Sequence, residues 1–198
     1  MTFSSDRIAD APLSSVFRGI SAQSLHRARD PAVGLVLWHR PMSPALHKSA
    51  QALLTLPPFS EVAEGSPESA ARRVLHALPG AAGCLGADLT RLAGVFAAVT
   101  GHHTLRLRLE HVADDACRNY HVDAVGLRLL CTYAGLGTEW IDLAGQVQRM
   151  GPMQVGLFKG MTYPDAAIRV WHRSPPVSHL PPARRSRLLL CIDEPGVF

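Results

Sequence analysis

The sequence contains none of the short motifs that mark the commonest enzyme classes. It has no GxSxG nucleophile elbow, no Walker phosphate-binding loop and no GxGxxG dinucleotide-binding turn. Its four cysteines never form a CxxC pair, so a zinc finger or a redox dithiol is not expected. Free, mostly buried thiols are the simpler interpretation. Any active residues must therefore be sought among side chains that are spread along the chain.

Long apolar runs and a large charge excess are also missing. No apolar stretch approaches the roughly 20 residues that span a membrane, and residues 1–15 carry acids without an apolar core, which argues against a secretory signal. The net charge of +4 is compatible with an anionic small molecule and is weak evidence for nucleic acid. We expect a cytoplasmic protein without membrane or nucleic-acid partners, whose substrate, a small molecule or a protein, these residues do not identify.

The length and the apolar content of the chain predict one domain over residues 1–198, since 47% of the residues are apolar. The part over 1–103 is predicted to be mainly helical. Ser43 and Ser66 are each followed by proline, which is the pattern of an N-cap and a first helical position.

From residue 104 the apolar pattern changes to a period of two, which is typical of strands. "TLRLRLEHV" alternates apolar and charged residues, and four later segments look similar. These are "VGLRLLCTY", "MQVGLFKG", "AIRVWHR" and "SRLLLCID". Short, evenly spaced strands without helices between them favour a sandwich or a barrel over 104–198. "VGLVLWHR" (33–40) is a further strand candidate in the first half.

Residues 119–140, "NYHVDAVGLRLLCTYAGLGTEW", carry the densest set of chemically active side chains. His121 and Asp123 stand two residues apart, and in a strand such residues project from one face. A buried carboxylate costs several kcal/mol unless it is paired or bound to a metal, and a neighbouring imidazole is a natural second ligand. The pair therefore indicates a metal site. The alternative is a core histidine that is hydrogen-bonded to an aspartate without a metal.

Residues further along could complete such a site. His172 in "RVWHRSPP" is the candidate third ligand, although it could instead hydrogen-bond the loop through Ser174. Two histidines and one carboxylate form the facial triad that suits Fe(II) and leaves positions open. Arg187 begins an apolar strand, where it could bind a carboxylate or serve as a flanking surface charge.

Three other arginines leave alternatives open. Arg184 and Arg185 compete with Arg187 for the carboxylate-binding role. Arg128 lies just inside its strand, and if that face is covered it needs a partner such as Asp123 or Glu110.

The order of these residues resembles that of the Fe(II)/2-oxoglutarate-dependent oxygenases. In both, His-x-Asp is followed by a strand that ends in tyrosine and a Gly-Thr turn, then by a distal histidine and an arginine. The resemblance implies an α+β protein in which helices pack on a double-stranded β-helix, or jelly roll. It also implies iron on His121, Asp123 and His172, and 2-oxoglutarate on Arg187 with help from Tyr133. The implied activity is the hydroxylation of an unknown substrate.

A closer resemblance, over most of the chain, is to an uncharacterised bacterial family, domain-of-unknown-function family eighteen-twenty-six. "ACRNYHVDAVGLRLLCTYAGLGTEW", "GLFKG", "VWHRSPP" and "RRSRLLLCID" are similar to its signature. The family's association with zinc-homeostasis genes implies an alternative, a cupin-like protein that binds zinc without turnover. The chain departs from the oxygenase pattern in the interval from His172 to Arg187, which is longer than usual and implies that the Pro-rich loop is an insertion. The first hundred residues match no oxygenase motif.

Overall fold

The structure, a computed structural model, describes residues 15–78 and 83–196. The strands are β1 (Val16–Gly19), β2 (Leu35–Trp38), β3 (Phe59–Gly65), β4 (Leu105–Val112), β5 (Leu127–Ala134), β6 (Glu139–Ile141), β7 (Val147–Arg149), β8 (Val155–Lys159), β9 (His172–Arg173) and β10 (Arg187–Asp193). The α-helices are α1 (Pro44–Leu53), α2 (Pro67–His76) and α3 (Cys84–Thr100), and short 3-10 helices span Ala22–Arg29 and Pro182–Arg184.

The strands form two sheets of unequal size. The large sheet has seven strands in the order β1-β2-β8-β5-β10-β4-β3, and the small sheet has three in the order β7-β6-β9. Only β1 and β2 pair in parallel among the described pairs of the large sheet. Neighbouring strands often come from distant parts of the chain, since β10 lies between β4 and β5. A mixed sheet that packs against a smaller sheet is consistent with a jelly roll.

Strand β5 shows how the large sheet separates two cores. Leu129 and Cys131 join the core that contains the apolar side chains of the helices. Leu130, which points the other way, joins a second core with Trp140 of the small sheet. Since successive side chains of a strand point to opposite faces, the large sheet is covered by helices on one face and by the small sheet on the other.

The predicted helix starts are confirmed. The hydroxyl oxygens of Ser43 and Ser66 accept hydrogen bonds from the backbone N–H groups of Leu46 and Ser69, each over 3.3 Å, with proline at the next position. Helix α3 ends before Gly101, whose φ of 79° is the left-handed conformation that glycine tolerates best.

The predicted change of character at residue 104 is not a boundary between two structural parts. Strands β1 and β3 come from the first half of the chain and form the two edges of the large sheet. The strand predicted in "AIRVWHR" (167–173) is reduced to the two residues of β9, which pair with only two residues of β6.

Residues 1–14, which carry most of the N-terminal segment considered for a secretory signal, lie outside the described residues. Within residues 15–78 and 83–196, no helix is both long enough and apolar enough to cross a membrane.

Candidate metal centre and co-substrate cavity

A cavity of about 140 Å³ lies between the two sheets. Side chains from β4, β5 and β10 line it on the side of the large sheet, and β9 lines it on the opposite side. The three predicted metal ligands and Arg187 all line this one cavity. Residues that are far apart in the sequence are therefore brought together as the ligand pattern predicted.

The backbone brings the two histidines together. His121 and His172 form an isolated antiparallel β-bridge in which each N–H donates to the other's carbonyl over 3.0 Å. Their ring centroids lie 4.8 Å apart. The expectation that His121 and Asp123 share one face of a strand is wrong, because β5 begins at Leu127 and the segment 122–126 has no strand pairing. The bridge to His172, and not a continuous strand, therefore fixes the position of His121.

The ligand atoms of His121, Asp123 and His172 converge. They all lie within 4.8 Å of one another. Nε2 of His172 is 2.9 Å from Oδ2 of Asp123, and Nε2 of His121 is 3.5 Å from Oδ1. Oδ2 nevertheless has no hydrogen-bond partner of acceptable geometry among the described residues. Two ligand atoms at about 2.1 Å from one ion, at right angles to each other, lie about 3 Å apart. The 2.9 Å between Nε2 of His172 and Oδ2 of Asp123 therefore fits two donors that share an ion.

Backbone carbonyls orient both imidazole rings. Nδ1 of His121 is 2.9 Å from the carbonyl oxygen of Asn119, and Nδ1 of His172 is 3.4 Å from that of Val170. A carbonyl only accepts, so each Nδ1 carries a proton, and Nε2 is the ring nitrogen that faces Asp123. Metal-binding histidines are commonly held in this way. An imidazole with its proton on Nδ1 can offer Nε2 to a metal, so two such rings beside a carboxylate are a donor set that fits a bound metal.

Asp123 is the charged member of the set and is 6% exposed. Burial opposes its charge, but His172, Arg128 and His121 outweigh that effect and hold the pKa of the carboxyl below its ordinary value. The predicted pairing of Arg128 with Asp123 is confirmed, since Nη1 of the half-buried Arg128 donates to Oδ1. Arg128 also pairs with Asp193. Asp123 is therefore ionised at neutral pH.

Arg187 is a buried cation that has no ion-pair partner among the residues that the structure describes. It is 2% exposed, and Nη2 makes only long contacts of 3.4 and 3.3 Å with the hydroxyls of Thr132 and Thr138. Its Nε and Nη1 have no partner among the described residues. Burial lowers the pKa of Arg187 to about 10, so the group is still charged at neutral pH. A buried, unpaired guanidinium beside a cavity is the feature that a bound carboxylate would satisfy.

The two competing arginines point away from the cavity. Arg184 is exposed, and Nε of Arg185 donates to the carbonyl of Leu180 over 2.8 Å. Neither lines the cavity. The close approach of Gly135 helps to fix Arg187, since a Cβ at Gly135 would lie 2.7 Å from the Cα of Arg187 and its φ of +82° disfavours other residues.

The prediction that Tyr133 helps to bind the co-substrate is wrong. Its ring is fully buried in the core under the helices, and its hydroxyl donates to Oδ2 of Asp88 over 2.8 Å. Alternation along β5 puts Tyr133 on the face opposite Thr132, which contacts Arg187. The contact of Thr132 with Arg187 could have been anticipated from the sequence. Thr132 stands two residues after Leu130 and four after Arg128, so all three side chains point to the cavity side of β5.

Comparison with known proteins supports a family and a fold. A family model described as "Protein of unknown function (DUF1826)" matches residues 19–193. No curated protein sequence matches significantly. The structure is similar to that of a dioxygenase for auxin oxidation from rice, at 15% identity and a TM-score of 0.52, with 90% of this chain and 81% of that chain covered. It is also similar to a full-length Neurospora crassa protein in complex with alpha-KG, at 14% identity and a TM-score of 0.50, with coverages of 88% and 78%. These two likenesses show a shared fold.

Proposed function

We propose that this chain, which belongs to the DUF1826 family of proteins of unknown function, is an Fe(II)- and 2-oxoglutarate-dependent oxygenase of the hydroxylase type. One observation carries the proposal. A buried, unpaired arginine lines the same cavity as three converging ligands of the facial-triad type. The fold is shared with a dioxygenase and with a protein solved in complex with alpha-KG, which supports the same conclusion.

His121, Asp123 and His172 would hold the iron. Two neutral imidazoles and one carboxylate are the ligands of the facial triad, which leaves half of an octahedral coordination shell open. Iron, when bound, supplies the chemistry by which oxygen and 2-oxoglutarate give succinate, carbon dioxide and a hydroxylated substrate. The contribution of the chain is to fix the rings through Nδ1 and to keep the carboxylate ionised.

Arg187 would bind the far carboxylate of 2-oxoglutarate. That carboxylate would pair the guanidinium and would accept from the nitrogens that lack partners. The hydroxyls of Thr132 and Thr138 lie at the same group and would confine the carboxylate from the sides. Arg187 and Asp123 are both buried, which strengthens each of these charge interactions.

The alternative, a zinc-binding protein without turnover, finds no specific support. Structural zinc sites are closed by four protein ligands. Among residues 15–78 and 83–196, only three residues form the ligand group, and Cys117, which also lines the cavity, is not one of them. A closed zinc site also gives no role to the unpaired charge of Arg187.

Metal analysis and a turnover assay test the proposal together. Protein purified without chelators is analysed for iron and zinc, and conversion of 2-oxoglutarate to succinate is measured with Fe(II) and oxygen. We expect iron-dependent succinate formation, which is lost in Asp123→Asn and kept in Asp165→Asn. Asp165 is an exposed residue with a φ of 55°, a conformation that asparagine also accepts, so it is a matched control. Bound zinc without succinate formation would contradict the proposal.

A further inference from the structure

Arg128 links the candidate metal site to a second buried carboxylate. Its Nε and Nη2 donate to Oδ1 and Oδ2 of Asp193 over 2.6 and 2.9 Å, and its Nη1 donates to Oδ1 of Asp123. Asp193 is 1% exposed and lies directly opposite Arg128 in the pairing of β10 with β5. The bidentate pair with Asp193 therefore fixes the guanidinium plane and leaves Nη1 for Asp123.

This arrangement makes the two oxygens of Asp123 different. Oδ1 accepts a charge-assisted hydrogen bond from Arg128, whereas Oδ2 has no donor and lies 2.9 Å from Nε2 of His172. An oxygen that is bound to a guanidinium shares its electron density with the donor, so it is a poorer metal ligand. The contact with Arg128 also prevents the carboxylate from rotating to present both oxygens.

We propose that Arg128 is a positioning residue that restricts Asp123 to binding the metal through Oδ2 alone. The inference rests on the proposed function. Two imidazoles and a carboxylate bound through both oxygens fill four of the six positions of an octahedral ion, whereas binding through one oxygen leaves three positions open. A chelating co-substrate takes two positions and a second reactant needs the third. Arg128 thus keeps the third position available.

The test compares Arg128→Gln with Arg106→Gln in protein loaded with Co(II) in the absence of oxygen. Nη1 of Arg106 lies 3.7 Å from Oδ2 of the same Asp193, but Arg106 makes no ion pair with Asp123 in the described part of the chain. It is therefore a matched control for the loss of a positive charge beside Asp193. Titrations followed by the visible absorption of Co(II) give separate dissociation constants for Co(II), for 2-oxoglutarate and for azide, a small anion that tests whether the third position is open once 2-oxoglutarate is bound.

For Arg128→Gln we expect the Kd of azide for the complex of Co(II) and 2-oxoglutarate to rise by at least about tenfold, the lower end of the loss of activity typical when a residue that supports a metal ligand is replaced. The Kd for 2-oxoglutarate itself should change little, because a carboxylate bound through both oxygens still leaves two positions open. Co(II) affinity should stay equal or become tighter, because the freed Oδ1 can bind the metal as well. Arg106→Gln should change none of the three constants. A folded Arg128→Gln protein with an unchanged Kd for azide overturns the inference. A parallel weakening of all three constants also overturns it, since that indicates a structural role.

Asp193→Asn keeps the test decisive if Arg128→Gln does not fold. This variant retains the guanidinium and weakens the ion pair that fixes it, so the Kd for azide should rise by a smaller factor while the affinities for Co(II) and 2-oxoglutarate are kept. An unchanged Kd for azide in this variant would count against the role of Arg128. If the unsubstituted protein binds no Co(II) or no 2-oxoglutarate, the proposed function fails first and the inference fails with it.

Discussion

Replacing Arg187 by methionine should make the ligand-free protein more stable and should abolish its stabilisation by 2-oxoglutarate. The guanidinium is 2% exposed, has no counter-ion among the described residues and leaves two nitrogens without partners. Methionine has a similar length, is flexible enough to fill the same space and carries no charge. The substitution therefore removes the buried charge and retains most of the packing.

The pKa of Arg187 gives the size of the effect. Burial lowers it to about 10, which is roughly 2.5 pH units below the ordinary arginine value and corresponds to about 3 kcal/mol against the folded state. Because the pKa of this base is lower in the folded state than in the unfolded state, the penalty is complete at neutral pH and fades only as the pH rises above about 10. Because Arg187→Met also loses the contacts with Thr132 and Thr138, we expect the free energy of unfolding to rise by about 1–3 kcal/mol.

Urea unfolding of metal-loaded protein with and without 2-oxoglutarate provides the assay. At a concentration one hundred times its Kd, 2-oxoglutarate should stabilise the unsubstituted protein by about 2.7 kcal/mol, and Arg187→Met by nearly nothing. The exposed Arg184 provides the control, since Arg184→Met should change neither value. A destabilised ligand-free Arg187→Met protein, or one that 2-oxoglutarate still stabilises fully, would refute the reasoning.

Three further substitutions test neighbouring assignments. Asp123→Asn should abolish Co(II) binding in equilibrium dialysis, because it removes the anionic ligand, and Asp165→Asn should not. Tyr133→Phe should lower the free energy of unfolding by about 1 kcal/mol through the loss of its hydrogen bond, and should leave the Kd for 2-oxoglutarate unchanged. Asp115→Ala should speed hydrogen exchange at the amides of residues 177–178, which donate to the Asp115 carboxylate. Hydrogen bonds from the Ser178 hydroxyl and these amides lower the pKa of Asp115 to about 2. The protection of the two amides from exchange should therefore be complete above about pH 4 and be lost as the pH falls toward 2.

Each of these predictions has a clear contrary result. If Asp123→Asn still bound Co(II), the assignment of Asp123 as a metal ligand would be wrong. A weaker affinity of Tyr133→Phe for 2-oxoglutarate would place the tyrosine in the site after all. Unaltered exchange in Asp115→Ala would mean that other contacts hold the loop after β9.

Much of the secondary structure could be predicted because its causes are local. The hydroxyls of Ser43 and Ser66 accept hydrogen bonds from N–H groups only three residues away. The alternation of β4 appears in the sequence because its apolar residues face the helices while the charged ones face the cavity or solvent. Strand β9 was overestimated, since its length depends on the two partner residues that β6 offers and not on its own composition.

The candidate ligand set could also be predicted, because the sequence contains His121, Asp123, His172 and Arg187 in a recognisable order. The geometry that brings these residues together could not be predicted from the sequence. The two histidines meet through a β-bridge outside any long strand, and the rings are oriented by the carbonyls of Asn119 and Val170.

By itself, the sequence determined where several of the helices and strands form, which residue types could bind a metal and that a basic residue follows them. Only the tertiary structure decided that Arg187 and not Arg184 or Arg185 is buried beside the cavity. It alone decided that Tyr133 faces the helices, and that Arg128 meets Asp193 across 65 residues of chain. The physical reason is that a strand has two equivalent faces until distant strands and helices cover them, and no local pattern records which partner covers which face.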